Sequence, residues 1–237
     1  MRKHLVIILA FILCFLSNCK TKSENDNSDS MQPTEGYPLV DNIEVIKQII
    51  ESKCIDTIKF RKGQVIADIG AGNGTIEAML SIFHDSLTFY IQDIDTSVCN
   101  QKAISEVTSF YQNVKGKPFT NKFIVVTGGD NVTNLPNDTF DKILMLWTYQ
   151  YFKDSPAIMT DLRLKLKEYG LMYIVNPNVD IESSKELTSK HGWNASPIER
   201  QISDIIDCGF ELIRLSRDYI SSESPYIMVF KKKSLQN

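Results

Sequence analysis

The chain of 237 residues has 26 basic and 29 acidic side chains, a formal net charge of −3 that gives no support for nucleic-acid binding. Its cysteines and histidines are few and widely spaced, so they fit neither a disulfide framework nor a zinc site, and no bound metal is expected.

The first 19 residues have the layout of a secretory signal. Arg2 and Lys3 give a basic start, an apolar run extends over residues 5–16, and Ser-Asn-Cys19 follows. The run is shorter than the ~20 apolar residues that span a bilayer. The segment resembles a bacterial lipoprotein cleavage box, which implies acylation of Cys19 and a lipid-anchored protein of the cell envelope. An ordinary signal peptide and an uncleaved anchor with a cytosol-facing domain are the alternatives.

Residues 20–38 are rich in Ser, Asn, Asp, Glu and Thr and contain almost nothing to bury, which predicts a disordered tether. Residues 39–237 then form one domain of ordinary size. The domain is predicted to begin with an amphipathic helix over residues 41–52, where isoleucines recur at helical spacing.

Residues 65–75, V-I-A-D-I-G-A-G-N-G-T, are the most informative segment. An apolar run with one acid opens the segment and is typical of a buried parallel strand. Gly70, Gly72 and Gly74 follow, and glycine allows positive φ and close approach of a ligand. A helical pattern begins at Thr75, so the segment predicts a nucleotide-shaped pocket between a strand and a helix N-terminus.

The D-x-G-x-G-x-G pattern that begins at Asp68 resembles the first motif of the class I S-adenosylmethionine-dependent methyltransferases. The resemblance implies an α/β domain with a doubly wound, seven-stranded, mostly parallel sheet (the Rossmann-like methyltransferase fold) and a C-terminal antiparallel hairpin. It also implies S-adenosyl-L-methionine as the cofactor, with Asp68 near its ammonium group. A dinucleotide fingerprint has other spacing, and Asp68 would repel a pyrophosphate, which disfavours a nicotinamide oxidoreductase.

Two later segments continue the resemblance in the expected order. A strand predicted over residues 87–91 leads to Asp93, which aligns with the family's acid for the ribose hydroxyls. A strand over residues 123–127 leads to Asp130, which aligns with the acid that faces the adenine amino group; an Asx-turn is the alternative. The resemblance implies these cofactor-binding residues: Asp68, Gly70, Ala71, Gly72, Asn73, Gly74, Asp93, Ile94, Asp130, Asn131 and Leu146.

The rest of the domain is predicted as alternating helices and strands. Asp95 is interpreted as a surface residue or as the cap of a helix that begins near Thr96. Ser196 and Pro197 predict a capping box and the first position of a helix that ends at Gly209. Further strands are predicted over residues 140–147, 166–175, 210–219 and 226–231.

The methyl acceptor is not identified by the sequence. An aromatic cluster follows the fourth strand and is interpreted either as an acceptor pocket that contacts the methyl sulfonium or as core packing: Trp147, Tyr149, Tyr151 and Phe152. No catalytic residue is assigned; His191 is either a proton acceptor or an exposed loop residue. The sequence therefore predicts a methyltransferase for a small-molecule acceptor. An exported, non-catalytic lipoprotein that binds an adenosine ligand or another metabolite is the alternative.

Overall fold

A computed structural model describes residues 39–176, 196–217 and 225–234. The signal, the tether, Cys19 and His191 lie outside these ranges, and what the sequence predicts for them stays a prediction. In the part of the chain that is described, no helix is both long enough and apolar enough to cross a membrane.

The described elements alternate between strand and helix over most of the domain. The strands are β1 (Val65–Ile69), β2 (Thr88–Asp93), β3 (Lys122–Thr127), β4 (Phe140–Leu146), β5 (Leu166–Asn176), β6 (Phe210–Arg217) and β7 (Tyr226–Lys232). The helices are α1 (Ile43–Ile50), α2 (Lys53–Asp56), α3 (Thr75–Phe83), α4 (Gln101–Lys115), α5 (Ser155–Lys165) and α6 (Ile198–Asp207), with a 3₁₀ turn at Tyr149–Tyr151.

The described strands form one seven-stranded sheet in the order β3-β2-β1-β4-β5-β7-β6. The neighbours from β3 to β5 are parallel, whereas β7 is antiparallel to both β5 and β6. This arrangement confirms the predicted doubly wound sheet with its C-terminal hairpin. Chain order reverses between β1 and β4, and the crevice at the carboxyl ends of such strands is where open α/β sheets bind ligands.

Two hydrophobic layers cover the sheet because successive side chains of a strand point to opposite faces. In β1, Ile66 packs in the layer formed with α1, α3 and α4. Ala67 and Ile69 pack in the layer formed with α5 and α6. Asp68 therefore points to the same face of the sheet as Ile66, toward α3.

The α4 boundary predicted from sequence is wrong. Asn100 caps the helix, because its Oδ1 accepts the Ala103 N–H at 3.0 Å, and the helix begins at Gln101 rather than near Thr96. Asp95 instead closes a local turn by accepting the Ser97 N–H at 2.9 Å.

The capping box predicted for α6 is also wrong. Pro197 has extended backbone angles (φ −54°, ψ 150°) and is the N-cap residue, so it cannot occupy the first helical position. The Ser196 hydroxyl finds no hydrogen-bond partner among the described residues. The helix end is as predicted, since Gly209 follows it with φ +86°.

Candidate functional site

The glycine turn lies between β1 and α3, at the point where chain order reverses. All three of its glycines have positive φ, from +56° at Gly72 to +73° at Gly74. A Cβ on Gly70 would clash with the Thr148 side chain, and a Cβ on Gly74 would lie 2.8 Å from Ile104 Cδ1. A Cβ on Gly72 would meet no described atom within 4 Å. Gly70 and Gly74 therefore allow close packing within the protein, whereas Gly72 borders open space.

The turn is tied to the end of β2 by backbone hydrogen bonds. Gly70 and Ala71 donate their N–H groups to the Gln92 carbonyl at 2.8 and 3.1 Å. The Asn73 side chain accepts the Thr75 hydroxyl at 2.7 Å, which closes the turn against the first residue of α3. These bonds fix the geometry of the turn.

Asp93 is the last residue of β2 and is half-buried beside the turn. Its Oδ2 accepts the Gly72 N–H at 2.9 Å, and its Oδ1 accepts the Asp95 N–H at 3.0 Å. A carboxylate oxygen has two acceptor positions, so each oxygen can take one further donor. Two hydroxyl groups of a ligand could supply those donors.

Asp68 and Glu77 form a buried acidic pair next to the turn. Asp68 is 3% exposed and Glu77, in the first turn of α3, is 0% exposed. Burial, together with the nearby carboxyl group of Glu77, raises the pKa of Asp68 well above its usual value. Burial also raises the pKa of Glu77. Sequence reasoning missed Glu77, although an acid in the otherwise apolar start of T-I-E-A-M-L-S-I-F was a visible signal.

Asp130 and Asn131 lie in the loop that follows β3, and both are exposed. The loop starts beside the site, because Gly128 donates its N–H to the Asp93 carbonyl at 3.0 Å. A Cβ on Gly128 would clash with the buried Gln92 side chain, so a glycine is needed for this close approach. The carboxyl ends of β1, β2 and β3 thus bring the three predicted acids to one edge of the sheet.

An ion pair on α5 holds the same loop, which forms no helix or strand over residues 128–139. Asp161 Oδ2 accepts both the N–H and the hydroxyl of Thr133, at 2.9 and 2.6 Å. Lys165 lies 3.2 Å from Asp161 Oδ1 and donates to Asn137 Oδ1 at 2.8 Å. The side chains of this ion pair are only 13% and 10% exposed. No local sequence pattern indicates this contact, because it joins segments that are far apart in the chain.

The aromatic cluster after β4 divides between the core and the open edge. Tyr149 is fully buried in the layer with α5 and α6, and Phe152 packs against its ring with centroids 6.0 Å apart. Tyr151 is exposed and Trp147 is partly buried. Trp147 has φ +59°, an unfavourable backbone region for a bulky residue. Leu146 precedes it as the buried last residue of β4.

Charge and polarity restrict what this edge can bind. Four segments that border it contain acids and amides but neither lysine nor arginine: residues 68–75, 92–97, 128–134 and 146–152. Ile94 and Val132 add exposed apolar side chains beside Asp93 and Asp130. Over the described ranges, no group of three or more His, Cys, Asp or Glu residues is arranged to hold a metal ion. The edge therefore suits a ligand with hydroxyl groups, a flat apolar part and positive charge, and disfavours a pyrophosphate.

Solved structures with a similar fold include methyltransferases. An S-adenosylmethionine-dependent methyltransferase from Aquifex aeolicus matches with a TM-score of 0.55 and 15% identity, over 80% of this chain and 97% of that one. Another from Methanosarcina mazei matches with a TM-score of 0.54 and 15% identity, over 76% and 97% of the two chains. The chain has the Rossmann-like methyltransferase fold. No protein-family model matches its sequence, and no curated protein does so either.

Proposed function

We propose that this protein is an S-adenosylmethionine-dependent methyltransferase that acts on a small-molecule acceptor. The observation that carries the proposal is the Gly72 turn, which is held by Asp93 and borders open space. The fold explains a strand, a turn and a helix at this place. It does not by itself require a carboxylate on the turn N–H or a glycine whose missing side chain leaves room for a ligand.

The residues present fit the cofactor. The free acceptor positions of Asp93 suit the two ribose hydroxyls, and the Asp130–Asn131 loop and Ile94 suit the polar edge and the flat face of adenine. Asp68 lies near the end of β1, just before the turn, and a carboxylate at this position suits an ammonium group. Because the four segments that border the turn lack lysine and arginine, they match a cationic nucleoside better than a phosphate-bearing one.

When bound, the cofactor supplies an activated methyl group on a positively charged sulfur. The protein's part is then to hold the two reactants in line and to exclude water, and orientation of this kind supplies much of the acceleration in group-transfer reactions. Trp147 and Tyr151 stand after β4, beside the glycine turn through Thr148. We assign to them the wall of the acceptor pocket, where aromatic faces also stabilise a nearby sulfonium.

Calorimetry on the full-length chain tests whether the proposed cofactor binds. We expect S-adenosylmethionine and S-adenosylhomocysteine to bind, and NAD and NADP not to bind under the same conditions. Equal binding of NAD would contradict the assignment of the acids. Release of S-adenosylhomocysteine in the presence of a panel of small amine, hydroxyl and thiol compounds then tests turnover.

The N-terminal layout supports two further proposals. We infer that Cys19 carries the lipid and that the domain is attached to the envelope membrane through the tether. Because the methyl donor is made in the cytosol, an exported domain could retain ligand binding without turnover, which is the alternative function. Binding without release of S-adenosylhomocysteine with any acceptor, together with an outward-facing domain in protease-accessibility experiments, would favour that alternative.

A further inference from the structure

The buried carboxyl groups of Asp68 and Glu77 contain hydrogen-bond acceptors without donors, which the proposed cofactor site does not explain. Asp68 Oδ1 and both carboxyl oxygens of Glu77 are buried and meet no hydrogen-bond donor among the described residues. Ionised carboxylates are acceptors only, so neither can donate to the other. The two groups nevertheless lie within hydrogen-bonding reach of each other. One proton placed between them supplies the missing donor and halves the buried negative charge.

The surroundings of the pair favour retention of that proton. Asp68 on β1 faces Glu77 on α3, and Asp93 at the end of β2 adds a further acid. Cys99, in the segment before α4, is buried beside the same acids and Asp95. Burial, and to a smaller extent these negative charges, raises the pKa of its thiol to about 12. The charges that act on Asp68 come from other acids, Glu77 and Asp93.

We propose that Asp68 and Glu77 share one proton in the ligand-free protein and release it to solvent when a cationic ammonium group binds at the glycine turn. Glu77 is then a positioning residue, which acts on the ligand through Asp68 rather than by contact. The step is balanced: the positive charge of the ligand replaces that of the proton, and the buffer takes the proton. This inference rests on the proposed cofactor, because it requires the amino-acid end of that molecule.

Two ligands separate the ammonium group from the nucleoside. S-adenosylhomocysteine has the ammonium group, whereas 5′-methylthioadenosine keeps the adenosine part and lacks the amino-acid end. Calorimetry of the full-length chain at neutral pH, in buffers with different ionisation enthalpies, gives the protons exchanged on binding. We expect release of about one proton with S-adenosylhomocysteine and none with 5′-methylthioadenosine. Affinity for the first ligand should rise about tenfold per pH unit, and affinity for the second should not change.

Glu77→Gln tests the role of the second acid. The amide keeps the shape and donates to Asp68 without a titrating proton, so proton release and the pH dependence of affinity should disappear. Glu106→Gln is the matched control, because Glu106 is exposed on α4 and pairs with Lys102 at 3.9 Å on the surface. It should behave as the wild type does. A wild type without proton exchange, or a Glu77→Gln variant that keeps it, would overturn the proposal.

Unfolding of the ligand-free chain gives a second test that does not depend on the cofactor. Because folding raises the pKa of both acids, their stabilising contribution is complete below their unfolded values, about 3.9 and 4.3, and is lost as pH rises toward the folded values. Glu77→Gln should therefore have the higher unfolding midpoint at pH 7, with a difference that shrinks toward pH 4. Equal pH dependence in both proteins would overturn the shared proton, whereas failure of both ligands to bind would reject the proposed cofactor.

Discussion

Replacement of Gly72 by valine separates ligand binding from folding, because this glycine has positive φ but a Cβ on it would meet no described atom within 4 Å. The cost to the fold is then the backbone strain alone, about 1–3 kcal/mol for a residue held in a sparsely populated region. In a domain of this size that corresponds to a fall in unfolding midpoint of roughly 2–12 °C. Binding should be lost altogether, since the side chain fills the space assigned to the ligand.

Gly116 offers a matched control for this strain. It follows α4 with φ +74°, and a Cβ there also meets no described atom within 4 Å. Gly116→Val should lower the unfolding midpoint by a similar amount and leave the calorimetric affinity for S-adenosylhomocysteine unchanged. A folded Gly72→Val protein that binds with wild-type affinity would refute the placement of the ligand on this turn. Loss of binding in both variants would assign the effect to stability instead.

Three further predictions concern separate parts of the molecule. Asp93→Ala should weaken binding of S-adenosylhomocysteine by about 1.5–3 kcal/mol in calorimetry, the scale for hydrogen bonds to a charged group; equal affinities would contradict the ribose assignment. Asp161→Asn should lower the free energy of unfolding in denaturant by about 3 kcal/mol, because it leaves the Lys165 charge unpaired; an unchanged midpoint would show that the ion pair does not hold the loop. Cys19→Ser should abolish labelling by a fatty-acid analogue, and wild-type protein that takes up no label would contradict the lipid anchor.

The fold was predictable because its signals are local. The apolar run at β1, the glycines after it and the order of the later strands each depend on neighbouring residues, and the sheet that forms from them is the expected one. The errors are at helix starts, where several polar residues compete to cap. Asn100 accepts the Ala103 N–H and caps α4, so the helix begins later than the predicted start near Thr96. The extended backbone of Pro197 makes it the N-cap residue of α6 and prevents the capping box predicted at Ser196.

The shared location of the three acids was predictable from the sequence, whereas their surroundings were not. The sheet topology brings Asp68, Asp93 and Asp130 to one edge, as the order of strands required. Their different surroundings depend on contacts across the fold. Asp68 is buried against an acid of α3, Asp93 accepts two backbone N–H groups, and Asp130 lies exposed in a loop held by α5. All three residues are aspartates, so a sequence pattern cannot distinguish their surroundings.

The stability cost of the acidic pair bears on whether the site still binds a ligand. A carboxyl group buried without a donor destabilises a fold, and an alanine or leucine at position 77 would pack in the same apolar layer without that cost. A scaffold that used this turn only to connect a strand to a helix would gain from such a replacement. The presence of both acids, beside a glycine that faces open space, is what a site for a cationic ligand requires. This argument does not depend on where the domain is located, so it supports ligand binding without depending on where the methyl donor is made.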